Sequence, residues 1–404
     1  MVDMSRPERL RAAIVGTGFV GPQHVDAVRR GGYGDVVVLV DRDSDRGPVI
    51  ARSLGVARAV CDFDAVLGDA AIDIVHICTP NRTHVDLARA AMEAGKHVVV
   101  EKPIAIDRAG ATTLIEVARR TGRHAAVALT YRGYPMVQHA RALVRSGRLG
   151  RLRLVHGGYL QDWLSDPSDY NWRLDSAAGG VSRAFADIGT HWFDTVEFVT
   201  GARVQAVMAD LATLVPIRHR PVQSGPAFRA GSGATEAVAI DTEDAATVLV
   251  RFDDGARGSM IVSQVSPGHK NNLTVELSGS EQSLSWAQEQ PERLRLASRS
   301  EAVLLSRAPS GDGWPVGVPS LPAGHPEGWG EALRDLLRPF YAAIAAGESP
   351  PADADAPYPT LADGARGVAL IEAVVESSSV GHWVDVRPIE SPREPARAEP
   401  EGRR

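Results

Sequence analysis

A short strand-like run at residues 11–15, apolar from Ala12 on, leads straight into GTGFVG and then into PQHVDAVRR, and this order of strand, glycine turn and helix restricts the fold more than any other feature of the chain. Gly16, Gly18 and Gly21 stand in GxGxxG register, and Pro22 falls in the first turn of the helix, where a residue without an N–H is tolerated. Gly16 makes the turn, Gly18 lets the backbone approach a pyrophosphate, and Gly21 lets the helix pack on the strand, while the helix N-terminus offers amide donors. The turn as a whole, Gly16, Gly18, Phe19, Val20 and Gly21, is therefore the expected cofactor-binding loop. A second apolar run at residues 35–40 ends in Asp41, where the dinucleotide fingerprint places a carboxylate that accepts from a ribose hydroxyl. Such a carboxylate repels a 2′-phosphate, whereas the neighbouring Arg42 is able to pair with one. The position of Asp41 favours NAD over NADP.

The alternation of helix and strand continues. IDIVHICTP at residues 72–80 reads as a strand, a helix follows from about Thr83, and residues 97–100 form a short apolar run suited to a strand buried on both faces. A further helix from Asp107 and a strand at 125–129 complete the pattern of a parallel sheet with crossover helices. Ligands of open parallel sheets bind outside the carboxyl ends of the strands. Thr79, Pro80 and Asn81 lie at one such end, with His84 at the next helix start, a position suited to packing or capping on the cofactor side. Glu101, Lys102 and Pro103 lie at another; the proline restricts the lysine backbone to extended conformations and is a candidate cis residue.

After residue 129 the character changes. A helix at 136–146 ends at Gly147, and alternating stretches such as RLRLVHGGYL, ATVLVRF, GSMIVSQV and NLTVELSGS follow, with a hairpin break at FDDGARG. GGVSRAFADIGTHWFDTVEFVTG interrupts them as one apolar-periodic helix closed by Gly201, and two more helices come late. The expected fold is α/β, with an N-terminal Rossmann domain (1–129) and a C-terminal α+β domain (130–387) built on a large open, mostly antiparallel sheet. Residues 311–328 read as an irregular Pro- and Gly-rich connection, and residues 388–404 as a charged, Pro-rich, disordered tail. The length of 404 residues suits two domains. A net charge of −6 gives no electrostatic reason to expect nucleic acid. No signal core and no apolar run long enough for a membrane span is present, so a cytoplasmic protein is expected. Cys61 and Cys78 lack CxxC spacing and read as free thiols, and no metal site is expected.

Asp187 and His191 are four apart on the inserted helix, flanked by Ile188, Trp192 and Phe193, so the polar pair is not on a freely solvated face. A charge placed there is costly unless it is satisfied or used. Removing a hydride from a secondary alcohol requires a base for the hydroxyl proton and a cation near the developing alkoxide. His191 suits the base, Lys102 the cation, and Asp187 is expected to bind or orient substrate and to hold the tautomer of His191.

GTGFVG, CTPNRTHVDLARAAMEAGKHVVVEKP and GGVSRAFADIGTHWFDTVEF together resemble the glucose-fructose oxidoreductase, inositol dehydrogenase and rhizopine catabolism (Gfo/Idh/MocA) family over roughly residues 10–387. The resemblance implies NAD(P)-dependent oxidation or reduction at a sugar or cyclitol carbon, and dimers or tetramers assembled through the C-terminal sheet. It carries the catalytic lysine onto Lys102 and the family's acid and histidine onto Asp187 and His191. It also places Tyr131 and Arg132, and Trp172 and Arg173, along the substrate and cofactor cleft. YLQDWLSDPSDYNWRLDSAAGG is similar to a sugar-oxidising branch, rich in side chains that bind hydroxyls or stack on pyranose faces. Two other activities fit the same resemblance: a glycosidase that uses NAD transiently, and a nucleotide-sensing regulator that has no need for Lys102, Asp187 and His191 together.

Overall fold

The computed structural model describes residues 9–221, 235–307, 321–322, 324–353 and 356–389. The tail from residue 390 and most of the Pro- and Gly-rich connection lie outside them.

The N-terminal part is a six-stranded parallel sheet. Its strands are β1 (Leu10–Val15), β2 (Gly34–Val40), β3 (Arg58–Val60), β4 (Ile74–Ile77), β5 (His97–Val100) and β6 (Ala125–Val127), in spatial order β3-β2-β1-β4-β5-β6. The crossovers carry α1 (Val20–Gly31), α2 (Arg46–Ser53), α3 (Asp64–Leu67), α4 (His84–Glu93) and α5 (Arg108–Thr121). The chain winds outward from β1 to β3 and then returns to the other side of β1 as β4, which opens a crevice at the carboxyl ends of β1 and β4. Residues 98–100 are fully buried, each valine contributing roughly 1.5–3 kcal/mol, so the segment that delivers Lys102 is held rigidly. β3 is an edge strand of three residues, exposed or half-buried, and therefore shows no apolar run in the sequence.

α6 (Pro135–Arg145) leads into a nine-stranded sheet. Its members are β7 (Leu152–Leu160), β8 (Val204–Ala212), β11 (Ala245–Phe252), β12 (Arg257–Ser263), β13 (Asn272–Gly279), β14 (Ser283–Ala287), β15 (Arg293–Ala297), β16 (Ala302–Ser306) and β17 (Val384–Asp385). β9 (Ile217–Pro221) and β10 (Thr235–Ala239) form a separate two-stranded arm. The large sheet is antiparallel except where β12 runs parallel to β7. Alternation decides its faces: Val248, Val250 and Phe252 of β11 point into a core shared with Trp192, Phe193 and Val196 of α8 (Thr190–Thr200), while Thr247, Leu249 and Arg251 point out.

The expected single helix at 180–200 is interrupted. Phe185–Gly189 forms a π-helical turn, which feeds α8, and α8 closes at Gly201 in the left-handed conformation. A short α7 (Ser176–Gly179) precedes it. Two late helices, α9 (Trp329–Ala345) and α10 (Leu361–Val380), tie the two halves together. Leu333, Leu337 and Phe340 of α9 join the core of the parallel sheet, whereas α10 places Leu361 and Ala365 in that core and Leu370 and Val374 in the other.

Candidate active site

The glycine turn has two packing glycines and one open one. Gly16 has φ +96°, and a Cβ there would lie 2.6 Å from the Cys78 carbonyl oxygen; a Cβ on Gly21 would lie 2.2 Å from that of Gly16. Gly18 has nothing within 4 Å of the corresponding position. Close packing thus fixes the turn while its tip stays clear, and α1 starts at Val20 after Phe19 without a side-chain cap, so the amides and the open glycine fit a pyrophosphate. Asp41, buried just past the end of β2, accepts from Thr17 and from Arg46, whose Nε and Nη2 lie 2.9–3.0 Å from its oxygens. Arg46, rather than Arg42, is the guanidinium on this carboxylate. Arg42 itself is exposed.

Across the crevice, the Thr83 hydroxyl donates to that of Thr79 (2.6 Å). Asn81 donates to the Gly179 carbonyl (3.0 Å), which joins the first domain to the end of α7, ahead of the π turn, and Pro80 leads into this link from an extended conformation. His84 is fully buried, with Nδ1 2.8 Å from the Pro103 carbonyl and Nε2 2.8 Å from that of Thr79. It braces the two loops that carry Thr79 and Lys102.

Lys102 follows β5, and the Lys102–Pro103 peptide is cis. Its Nζ donates to the Asp187 carbonyl (2.6 Å) and to Asp187 Oδ1 (3.0 Å). Arg173 Nε lies 3.3 Å from the same oxygen, and Gln264 Nε2 donates to Oδ2 (2.8 Å). Burial opposes the charge on Asp187, but Lys102 and Arg173 outweigh it and hold the carboxyl below its usual range. The His191 ring is 4.9 Å from that of Tyr131 and 6.4 Å from that of Tyr159. Burial, and then the charge of Lys102, lower the imidazole to about 3, against the opposite pull of Asp187 and Glu101. His191 is therefore neutral at ordinary pH and free to accept a proton. Glu101 is buried too; burial opposes its charge, but the His24 hydrogen bond (3.0 Å) and the nearby Lys102 keep its carboxyl below the usual range.

No hydrogen bond joins Asp187 to His191 among the described residues, contrary to the expected tautomer-holding contact. The expectation assumed α-helical spacing, where residues four apart stack; the π turn at Phe185–Gly189 is wider and rotates Asp187 toward Lys102 instead. Arg132 carries structural contacts as well. Its guanidinium is tied to Asp194 (2.5 and 3.0 Å) and Asp363 (2.9 Å), bracing α8 against α10, and it lines one cavity with Lys102 and Thr190. Tyr131 lies against His191, and its hydroxyl meets that of Tyr159, which donates to Asn271. Gln161 also donates to Asn271 (2.9 Å) and accepts from Trp163 Nε1 (2.9 Å), which leaves a polar wall beside His191. Trp172 carries the Arg173 guanidinium over its ring at 4.7 Å. Arg46 and Gln264 escaped the sequence reading: neither lies in a motif, and their roles appear only where the chain brings them against Asp41 and Asp187.

A parallel sheet with a dinucleotide turn, and a lysine, an acid and a neutral histidine gathered near its carboxyl edge, define a two-domain nicotinamide-dependent oxidoreductase. Comparison with known proteins sharpens this. Residues 10–129 match the model of an oxidoreductase family with an NAD-binding Rossmann fold, and residues 137–285 match the GFO/IDH/MocA C-terminal domain. Levoglucosan dehydrogenase of Pseudarthrobacter phenanthrenivorans is 31% identical over 95% of this chain and 99% of its own. The NAD(+)-dependent scyllo-inositol 2-dehydrogenase of Bacillus subtilis is 28% identical over 68% of this chain and 73% of its own. Among solved structures, levoglucosan dehydrogenase with NADH and levoglucosan superposes with a TM-score of 0.82 at 29% identity, covering 94% of this chain and 100% of that one. An inositol dehydrogenase homologue of Azotobacter vinelandii with NADH and myo-inositol gives 0.80 at 30% identity, covering 93% and 97%. The chain belongs to the Gfo/Idh/MocA oxidoreductase family, whose Rossmann domain binds NAD. Among the described residues, no helix is long and apolar enough to cross a membrane, and no group of three or more metal-ligating side chains is gathered.

Proposed function

We propose that the protein is an NAD-dependent dehydrogenase that oxidises, or in reverse restores, a secondary hydroxyl of a sugar, a glycoside or an inositol-like cyclitol. The observation that carries this reading is the Lys102–Asp187 pair at 3.0 Å, set beside a histidine kept neutral by burial. Gly16, Gly18, Gly21 and the start of α1 would hold the pyrophosphate, Asp41 the adenosine ribose, and Thr79, Asn81, Trp172 and Arg173 the nicotinamide end. When bound, nicotinamide supplies the hydride acceptor. His191 takes the hydroxyl proton, and the Lys102 ammonium stabilises charge developing on the oxygen. Asp187 holds Lys102 through both its carbonyl and its carboxylate, so the ammonium is fixed before substrate arrives. The polar wall of Tyr159, Asn271, Gln161 and Trp163 suits a polyhydroxylated ring, as do the levoglucosan and myo-inositol named with the related structures.

The outward face of the nine-stranded sheet exposes Leu154, Met208, Leu249 and Ile261, and Met208 lies directly opposite Leu249 in register. A homodimer or homotetramer formed through this face would cover them. The proposed place of work is the cytoplasm, where nicotinamide dinucleotides are turned over.

The test is the absorbance of reduced nicotinamide on mixing the protein with NAD or NADP and a panel of sugars, glycosides and inositols. A rise with NAD and a polyol is expected. No rise with any substrate, together with aglycone release from glycosides, would replace the dehydrogenase with a transient-redox glycosidase; neither signal would leave a nucleotide-binding regulator.

A further inference from the structure

Asp187 is held on its outer oxygen by Lys102 and Arg173, and on its inner oxygen by a residue that belongs to neither domain's recognised motifs. Gln264, one residue past β12, is fully buried. Its Nε2 donates to Asp187 Oδ2 at 2.8 Å, and its Oε1 accepts from Arg183 Nη1 at 2.9 Å. A primary amide that gives on one side and accepts on the other has one orientation, so the Arg183 contact decides which face Gln264 turns to the acid. Arg183 is buried, and its Nη2 is bonded to Asp244. Asp244 also takes Arg218 (2.9 Å), whose Nη1 donates to the carbonyls of Asp166 (3.0 Å) and Asp169 (3.4 Å) in the loop that follows β7. That loop carries Gln161 and Trp163 of the polar wall.

We propose that Gln264 is a positioning residue for Asp187, and that Arg183, Asp244 and Arg218 lock its amide, and through it the acid, into one frame with the loop at residues 161–171. This deepens the proposed function, since it rests on Asp187 belonging to the reaction centre. Lys102 is held by the carboxylate and the carbonyl of one residue, so rotation of that carboxylate displaces the ammonium. Without Gln264, Oδ2 has no fixed donor, and the two cations on Oδ1 are free to draw the carboxylate round. The frame also explains a buried charge cluster that otherwise only costs desolvation: Arg183 and Arg218 against Asp244, with Glu243 accepting from the Arg183 and Phe185 amides at the start of the π turn.

The test uses two variants of the whole protein. Gln264→Met keeps the volume and removes both hydrogen bonds; kcat is expected to fall about 10- to 100-fold, the scale of one hydrogen bond to a charged group, with KM changed less. Gln264→Glu keeps the acceptor for Arg183 but sets a carboxylate oxygen 2.8 Å from Asp187 Oδ2, a contact that persists only with a proton between the two. Lys102, Arg173, Arg183 and, behind it, Arg218 are the cations around this pair, His191 and Tyr159 the neutral groups, and Asp244, Glu243 and Glu101 the other carboxylates. Its rate, divided by that of wild type on levoglucosan or myo-inositol, is expected to rise at least about tenfold as pH falls from about 9 to about 5. The same proton makes the melting temperature of Gln264→Glu approach that of wild type at the lower pH, a readout that needs no substrate. A rate ratio and a melting difference both independent of pH, with Gln264→Met at wild-type kcat, would overturn the proposal. Asp187→Asn separates the two ideas: if it keeps full activity, the reading of the site has failed, whereas an inactive Asp187→Asn beside unaffected Gln264 variants condemns only the frame.

Discussion

An ordinary histidine acting as base would be mostly protonated at pH 5 and would have lost about thirtyfold of its rate relative to pH 8. His191 is lowered from 6.5 to about 3 by burial and by Lys102, so it remains neutral throughout that range. The contribution of His191 to kcat/KM for oxidation is therefore expected to change by less than about twofold between pH 8 and pH 5. Initial rates of reduced nicotinamide formation at low substrate, which report the free enzyme, supply the assay. Lys102→Ala sharpens the test: it removes the second-largest cause of the lowering while Asp187 and Glu101 continue to pull upward. On the residual activity of that variant the acid limb should move up toward the ordinary histidine range. Stability carries the same signature with a definite sign. A depressed imidazole binds fewer protons folded than unfolded, so its contribution to unfolding free energy falls as pH drops below about 6.5, and continues to fall down to the folded value. A wild-type limb centred near 6.5 that His191→Asn abolishes would refute the claim that the free enzyme holds this base neutral.

Three further outcomes follow from the geometry. Lys102→Ala should cost at least about two orders of magnitude in rate, the scale of one electrostatic stabiliser, with little change in melting temperature, because Asp187 keeps Arg173 and Gln264; comparable loss of fold would oppose a chemical role. Gly18→Ala and Gly21→Ala should part company: the first meets no atom within 4 Å and is expected to weaken NAD binding, measured by calorimetry, at unchanged melting temperature, while the second meets the Gly16 carbonyl at 2.2 Å and should lower the melting temperature itself. Arg132→Ala strands Asp194 and Asp363 without their cation and is expected to destabilise by about 3–5 kcal/mol in denaturant titration, with KM for substrate nearly unchanged.

Much of the fold was legible because local signals and global topology agree in the N-terminal half. Residues 12–15 and 98–100 read as buried strands since both faces are covered, and Gly16 and Gly21 announce a turn that packing does require. β3 was not legible, because three half-exposed edge residues have no pattern to read. In the site, Lys102, Asp187 and His191 were singled out by placement and spacing. The link between Asp187 and His191 was misjudged, because i,i+4 spacing says nothing of a π turn, and Phe185–Gly189 carries no sequence mark distinguishing it from α-helix. Gln264, Arg183 and Asp244 act through contacts between residues as far apart as 183 and 264, which no local periodicity reveals. The ion pairs of Arg132 were not legible either, because Asp194 and Asp363 come to it from α8 and α10, far along the chain.

The central claim is that a hydride leaves a ring carbon of the substrate at the centre formed by Lys102, Asp187 and His191. Levoglucosan and myo-inositol deuterated at every ring carbon, incubated with NAD and the protein, test it most directly through the mass of the dinucleotide recovered. The account predicts reduced dinucleotide carrying the substrate's deuterium, formed by wild type and lost with Lys102→Ala. Reduced dinucleotide without deuterium, or label transfer that survives Lys102→Ala undiminished, would contradict it.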